Sequence, residues 1–375
     1  MNKILKYALL LMVTVAIAAG VFFLGRESGG KSAETDFRAE WELNVRINRS
    51  DLEGLGAVEG PIYVTGHKSP DSDTVGSSIA YAALLQKLGY DARAVVLGDL
   101  NRESALILEK AGAAAPSRLD DASGKNMILV DHSEYSQSAE GLKDAHIVSI
   151  IDHHGDGSVT TGGQLIYDAR PLGSTATIIW IRYRNYGVEV DPQTAFVMAG
   201  SILSDTKNLQ SQATTTADRE ALRVLSGIAG ITDTDALYQE MYKASLSYAG
   251  MTDEQIFFSD YKEYESGGVK YSIGVIHVYD EEEAAAMAER MKAVFPSALA
   301  SSGMDMTFAQ ISIFHDDMNF TYIVPSGEQA SEVIKTAFED RAAFDGTSYI
   351  FSPGISRKQV LVPAISDVLA AHPGE

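Results

Sequence analysis

From residue 61 the chain alternates short apolar runs with longer amphipathic ones, and this alternation constrains the fold more than any other feature of the sequence. "PIYVTG" (61–66), "DARAVVLG" (91–98), "NMILVDHSE" (126–134) and "AHIVSIIDHHG" (145–155) read as buried strands. "TVGSSIAYAALLQKLGY" (74–90), closed by Gly89, and "RESALILEKAG" (102–112) have helical spacing, as do "STATIIWIRYRNYG" (174–187) and "PQTAFVMAGSILSDT" (192–206). Strands alternating with helices predict an α/β domain whose mostly parallel sheet is flanked by helices. Near 245–255 the pattern changes, and "YKASLSYAGMTDEQ" leads into a second unit. Its strands are "VKYSIGVIHV", "MTFAQISIF" and "NFTYIVP", and its helices "EEEAAAMAERMKAVF" and "EQASEVIKTAF". That composition predicts a smaller C-terminal α/β domain with a mixed sheet. At 375 residues the chain exceeds the ~250–300 at which single cores stop growing, which fits two domains.

Residues 1–59 lie outside this alternation. Lys3 and Lys6 precede an uncharged stretch from Tyr7 to Leu24, which reaches the lower edge of what spans a bilayer. Segment 1–25 therefore reads as a membrane anchor, or as a secretory signal cleaved near "AIA" (16–18). The short basic tail predicts the N-terminus inside and an extracytoplasmic catalytic domain held by residues 7–24; cleavage would make it secreted. Residues 26–59, with "ESGGKSAE" and "LEGLGAVEGP", read as a polar linker with one short helix.

The formal net charge is −21. Nucleic acid is excluded as a partner on this ground, because phosphate backbones are bound by basic surfaces. Any site for an anionic substrate must be built locally. There is no cysteine, so disulfides and thiolate metal sites are excluded.

Parallel sheets bind ligands at the carboxyl ends of their strands. There the sequence places His67, Asp71 and Asp73 after the first strand, and Asp131 and His132 after "NMILV". Asp152, His153 and His154 follow "HIVSII", and Asp205 follows "FVMAGSIL". Each alone has an ordinary explanation: Asp73 or Ser72 as a helix cap, Asp205 as another, His153 as a satisfied core histidine. Four segments delivering carboxylates and imidazoles to one sheet edge would repel one another unless cations lay between them. A set of oxygen and imidazole donors without sulfur favours Mn²⁺, Mg²⁺ or Co²⁺ in near-octahedral sites. The donors suffice for two ions with a bridging aspartate, the usual device for attacking a phosphorus ester or anhydride.

"GHKSPDSD", "LVDHSE", "IDHHG", "PLGSTATI", "ILSDT" and "SRKQVLVP" together resemble, in order and over about residues 60–365, the motif series of the family II, manganese-dependent inorganic pyrophosphatases of the DHH phosphoesterase superfamily. The resemblance implies a DHH metal-binding domain over 60–247, a DHHA2-like substrate-binding domain over 253–370, and an active site in the cleft between them. It implies that His67 and Asp71 hold one metal, Asp73, His153 and Asp205 the other, and that Asp131 bridges them. Asp152 would orient the imidazoles from behind. His154, Lys262, Arg357 and Lys358 would contact pyrophosphate and act in catalysis. The implied cofactors are two Mn²⁺ per site, with Co²⁺ as a substitute and a further Mg²⁺ arriving with substrate. The implied reaction is hydrolysis of pyrophosphate to two orthophosphates by a metal-bridged hydroxide. A homodimer is compatible with it. The rival readings are a DHH phosphodiesterase or exopolyphosphatase, and a membrane-tethered module that binds metal or phosphate without turnover. Two stretches depart from the family pattern: "KNLQSQATTT" follows "SDT" where "FKSPT" is common, and "SRKQ" has one lysine fewer than "SRKKQ".

Overall fold

The computed structural model describes residues 37–155, 157–315 and 318–371. The chain divides into two compact units at Tyr238/Gln239, a few residues before the end of the expected first domain at 247. The segment 7–24, expected to be an anchor, lies outside the described residues. Among the described residues no helix is long and apolar enough to cross a membrane.

The expected linker needs correction in its second half. Residues 37–49 are helical (α1), and Ser50–Ala57 forms a 3-10 turn. Leu52 and Leu55 of that turn are buried. The Arg49 Nε donates to the Tyr186 carbonyl at 2.8 Å, and the Tyr90 hydroxyl donates to the Leu52 carbonyl at 3.0 Å. Two leucines three residues apart are enough to seat "DLEGLGA" on the domain, although the stretch is polar on average.

In the first unit, strands β1 (Ile62–Thr65), β2 (Ala92–Val96), β3 (Ser117–Arg118), β4 (Asn126–Val130), β5 (His146–Asp152) and β6 (Ile166–Ala169) form one sheet in the order 3-2-1-4-5-6. Every pairing in it is parallel. The apolar runs were readable because these strands are buried on both faces: Ile128 and Val130 alternate with Met127 and Leu129, all inaccessible to solvent. Helices α2 (Ser72–Lys87) and α4 (Thr175–Asn185) pack on the sheet, and α5 (Pro192–Asp205) lies against both. The face of Met127, Leu129, Ile147 and Ile150 is covered by short turns around Ala139 and Leu142. Helices α3 (Arg102–Ala111), α6 (Thr216–Ala229) and α7 (Thr234–Ser245) complete the unit's helices, with α7 running across the division.

The second unit carries a six-stranded mixed sheet. After the short α8 (Asp253–Phe257) come β7 (Tyr261–Ser266), β8 (Val269–His277), β9 (Met306–His315), β10 (Met318–Ser326), β11 (Ala343–Phe344) and β12 (Tyr349–Phe351), arranged 11-12-10-9-8-7. Only β8 and β9 run parallel. One face, with Ile276, Ile311 and Val324, packs on α9 (Glu281–Ser302). The other, with Ile273, Phe308 and Ile323, packs on α10 (Ala330–Phe338) and α11 (Val362–Ala371).

Candidate metal centre

The strand order reverses between β1 and β4, and such a switch point leaves a crevice at the strands' carboxyl ends. Four chain segments reach it. After β1 the backbone turns at Gly66, where a Cβ would press into the side chain of Thr74. It then enters α2 through Asp71, whose Oδ1 accepts from the Thr74 N–H at 2.9 Å as the helix N-cap. Asp71, rather than Ser72 or Asp73, is therefore the cap, and its Oδ2 remains free to face His67 Nε2 at 3.2 Å. The capping explanation and the ligand explanation hold for the same side chain.

Asp131, directly after β4, has φ 62°, a left-handed conformation rare outside glycine. Its N–H donates to the Ile151 carbonyl at 2.9 Å. The Thr74 hydroxyl donates to Oδ2 at 2.7 Å and the Thr175 hydroxyl to Oδ1 at 3.1 Å. So held, the carboxylate presents Oδ2 to His67 Nε2 at 3.5 Å and Oδ1 to His153 Nε2 at 3.4 Å. Asp205, the last residue of α5, places Oδ2 3.3 Å from the same His153 nitrogen.

Asp73 is wholly buried and is met by the N-terminus of α4. It accepts from the Thr175 N–H at 2.6 Å, the Ala176 N–H at 3.1 Å and the Ser174 hydroxyl at 2.7 Å. The "PLGSTATI" motif thus places the positive end of a helix against a candidate ligand carboxylate.

Three overlapping groups result: His67, Asp71 and Asp131; Asp73, Asp131, His153 and Asp205; and Asp131, His153 and His154, the donor atoms of each lying within 4.8 Å of one another. Asp131 belongs to all three. His153 shows what the donor set is suited to hold. Its Nδ1–H donates to the Leu172 carbonyl at 3.0 Å, which leaves the Nε2 lone pair pointing into the carboxylates. That Nε2 is buried and has no hydrogen-bond partner. An orphaned imidazole nitrogen among three carboxylates fits a divalent cation.

The charges answer to the same crowding. Burial works against a charged His67, but its hydrogen bonds to Asp131 and Asp71 outweigh burial and push it up to about 10. His153 rises to about 9 against burial, chiefly through Asp131. Burial and then the charge of Asp131 push Asp73 up to about 7. Burial, followed by Asp73 and Asp131, pushes Asp205 up to about 11. Asp131 is held well below the usual carboxylate range, since the His153 and His67 imidazoles, 3.4 and 3.5 Å away, overcome its burial. Protons fill the places that cations would take, so metal uptake and proton release are linked.

Asp152 does less than expected. Its Oδ1 accepts from both the N–H and the Nδ1 of His154, at 3.0 Å each, whereas His153 is oriented by the Leu172 carbonyl. His154, with a half-exposed side chain, therefore turns Nε2 outward. His132 is buried, with both ring nitrogens 3.0 Å from partners, the Val130 carbonyl and the Ser138 hydroxyl. It is a satisfied core histidine.

In the second unit Lys262 lies exposed on β7, and Arg357 and Lys358 open the π-helical turn Arg357–Leu361. The Arg357 guanidinium donates to the Asp260 carbonyl at 2.7 Å and to the Asp260 Oδ1 at 2.8 Å, two residues before Lys262. Sequence reasoning missed Glu103, Thr74, Thr175 and the Leu172 carbonyl. Three of these were signalled only weakly, as polar residues near a helix start; a carbonyl leaves no signal.

Residues 61–202 match the model of the DHH family, N-terminal domain, and residues 239–368 that of the DHHA2 domain. A probable manganese-dependent inorganic pyrophosphatase from Exiguobacterium sp. is 33% identical over 310 residues, covering 82% of this chain and 98% of its own length. The manganese-dependent inorganic pyrophosphatase of Methanothrix thermoacetophila is 34% identical over 305 residues, covering 81% of this chain and 97% of its own. The chain belongs to the manganese-dependent inorganic pyrophosphatase family. A crystal structure of a Methanococcus jannaschii putative family II inorganic pyrophosphatase matches the fold with a TM-score of 0.51, 32% identity, and coverage of 82% of this chain and 99% of the other. Family membership also corrects the expected location. The family relatives are matched over nearly their whole length by about four-fifths of this chain. The expectation of a membrane-anchored, extracytoplasmic enzyme is withdrawn on these findings.

Proposed function

We propose that this protein hydrolyses inorganic pyrophosphate to two orthophosphates, using manganese held by His67, Asp71, Asp73, Asp131, His153 and Asp205. One observation carries the reading: Asp131 presents one oxygen to each of two ligand groups, which is what a bridging carboxylate between two cations must do. When bound, two divalent cations supply an activated water nucleophile and neutralise phosphate charge, a service that Co²⁺ can replace and a substrate-borne Mg²⁺ can extend. The rest falls to the chain. The Leu172 carbonyl fixes the His153 tautomer so that Nε2 ligates. Asp152 grips His154 and raises its pKa, which keeps the outward Nε2–H as a donor to a phosphate oxygen. Lys262, Arg357 and Lys358 neutralise charge on the phosphate that leaves. Such local cations answer the repulsion of an acidic surface. The names of the family relatives support both the metal and the substrate.

The test is phosphate release by the purified protein with Mn²⁺, given pyrophosphate, a dinucleotide and a cyclic dinucleotide in parallel. Pyrophosphate should be cleaved fastest, and Arg357→Ala should raise KM and lower kcat while metal content stays intact. Faster cleavage of either nucleotide would move the chain to the phosphodiesterase branch.

A further inference from the structure

Glu103 is the second residue of α3 and takes no part in any of the candidate ligand groups. An acidic residue in the first turn of a helix is usually solvated and needs no explanation beyond the helix dipole. Glu103 is different, because it turns inward. A single oxygen, Oε2, accepts from the Ser72 hydroxyl at 2.9 Å and from the Ser204 hydroxyl at 2.8 Å. Ser72 sits between Asp71 and Asp73 at the start of α2. Ser204 immediately precedes Asp205 at the end of α5. One carboxylate oxygen therefore ties together the two helix ends that deliver three of the six ligands.

A second bond runs alongside: the Ser201 hydroxyl donates to the Ser72 carbonyl at 2.8 Å. The arrangement is costly for the protein without metal. It adds another partly buried carboxylate beside Asp71 in a neighbourhood that already holds four, and like charges at this range oppose folding. A hydrophobic side chain would fill the space without that repulsion.

We propose that Glu103 is a positioning residue for the metal centre: by bonding Ser72 and Ser204 at once it sets the spacing between Asp73 at the start of α2 and Asp205 at the end of α5, and so sets the affinity for the divalent cation that these two aspartates share. The proposal rests on the metal reading of the site and is independent of which phosphate compound is cleaved.

The test is Mn²⁺ affinity measured by isothermal titration calorimetry on chelator-stripped full-length protein, for wild type, Glu103→Ala, Glu103→Gln and Ser204→Ala. Outer-shell partners of metal ligands are typically worth 10–100-fold in affinity, so Glu103→Ala should weaken Mn²⁺ binding on the order of 10-fold. Glutamine keeps an oxygen acceptor for both hydroxyls, so Glu103→Gln should stay within about 3-fold of wild type, and Ser204→Ala should fall between the two. Thermal unfolding in chelator separates affinity from folding: a merely structural role would lower the apo midpoint and leave Mn²⁺ affinity unchanged, which overturns the proposal. Equal losses in Glu103→Ala and Glu103→Gln would also overturn it, because charge alone would then be responsible. If Glu103→Ala does not fold, Glu103→Gln and Ser204→Ala decide the matter. Wild type that binds Mn²⁺ with these dependences but leaves pyrophosphate intact would refute the substrate reading and uphold this one.

Discussion

At Asp131 the backbone accepts a left-handed φ of 62° so that one carboxylate can serve two ligand groups. Asparagine in its place would keep the shape, lose the charge and offer one acceptor oxygen where two are used. Asp131→Asn should therefore weaken both cations rather than one, and activity should drop about 100-fold or more, given that even outer-shell changes cost 10–100-fold. Metal content by elemental analysis is the check, and two ions retained at wild-type affinity would show that Asp131 does not bridge. A partly buried carboxylate outside the ligand groups has a structural task. Asp168 accepts from the Arg182 guanidinium at 2.7 Å and from Arg170 at 2.6 Å, with Arg182 almost wholly enclosed. Burial alone would raise the pKa of Asp168, but the two guanidiniums outweigh it and hold it below the usual range. The folded state thus binds this proton less tightly than the unfolded chain does. Its contribution is complete above the ordinary carboxylate range and is lost as pH falls through the depressed value. Asp168→Asn leaves Arg182 buried without a counter-charge and should cost ~3–5 kcal/mol at neutral pH. Its stability should also depend less on pH in the acid range, as chemical denaturation at several pH values would reveal.

Among the elements, the contact between α2 and α5 matters most to the site, since these helices carry Asp73 and Asp205. They meet where Gly76 lies against Ser201 and Val197, and a Cβ on Gly76 would overlap the Ser201 hydroxyl. Gly76→Ala should therefore destabilise by about 1–3 kcal/mol through overpacking and weaken Mn²⁺ binding as the helices part. Adding Ser201→Gly should restore much of both, and failure to restore either would mean that the helices are not in this register. The strands that bear ligands could be read from the sequence because parallel strands buried on two faces appear as unbroken apolar runs. β6 could not: its residues "IYDA" are only half-buried at an edge, with Tyr167 exposed. Helix α6 had a readable stripe in Ala221, Leu222 and Leu225 beneath a cover of charge, but the charge dominated its composition. The ligand positions were legible because each follows a strand or ends a helix. The groups that hold them were not, since Glu103 is linked to Ser204 across 101 residues and Leu172 acts through its backbone.

On the scale of the whole chain, all six candidate ligands fall between His67 and Asp205, within the first unit, while Lys262, Arg357 and Lys358 belong to the second. The ligands come from four segments spread over that range, yet the last of them is in place well before residue 239. Protein synthesis runs in one direction, and this gives the sheet order a temporal meaning. The candidate sites for cations are finished while Lys262, Arg357 and Lys358 have yet to be made. A chain stalled on the ribosome within α9 should already retain manganese, and one stalled before Asp205 should not; equal retention by the two would contradict this order. The nascent first unit would then have its crowded carboxylates neutralised by metal, instead of by protons, before the second unit begins to fold.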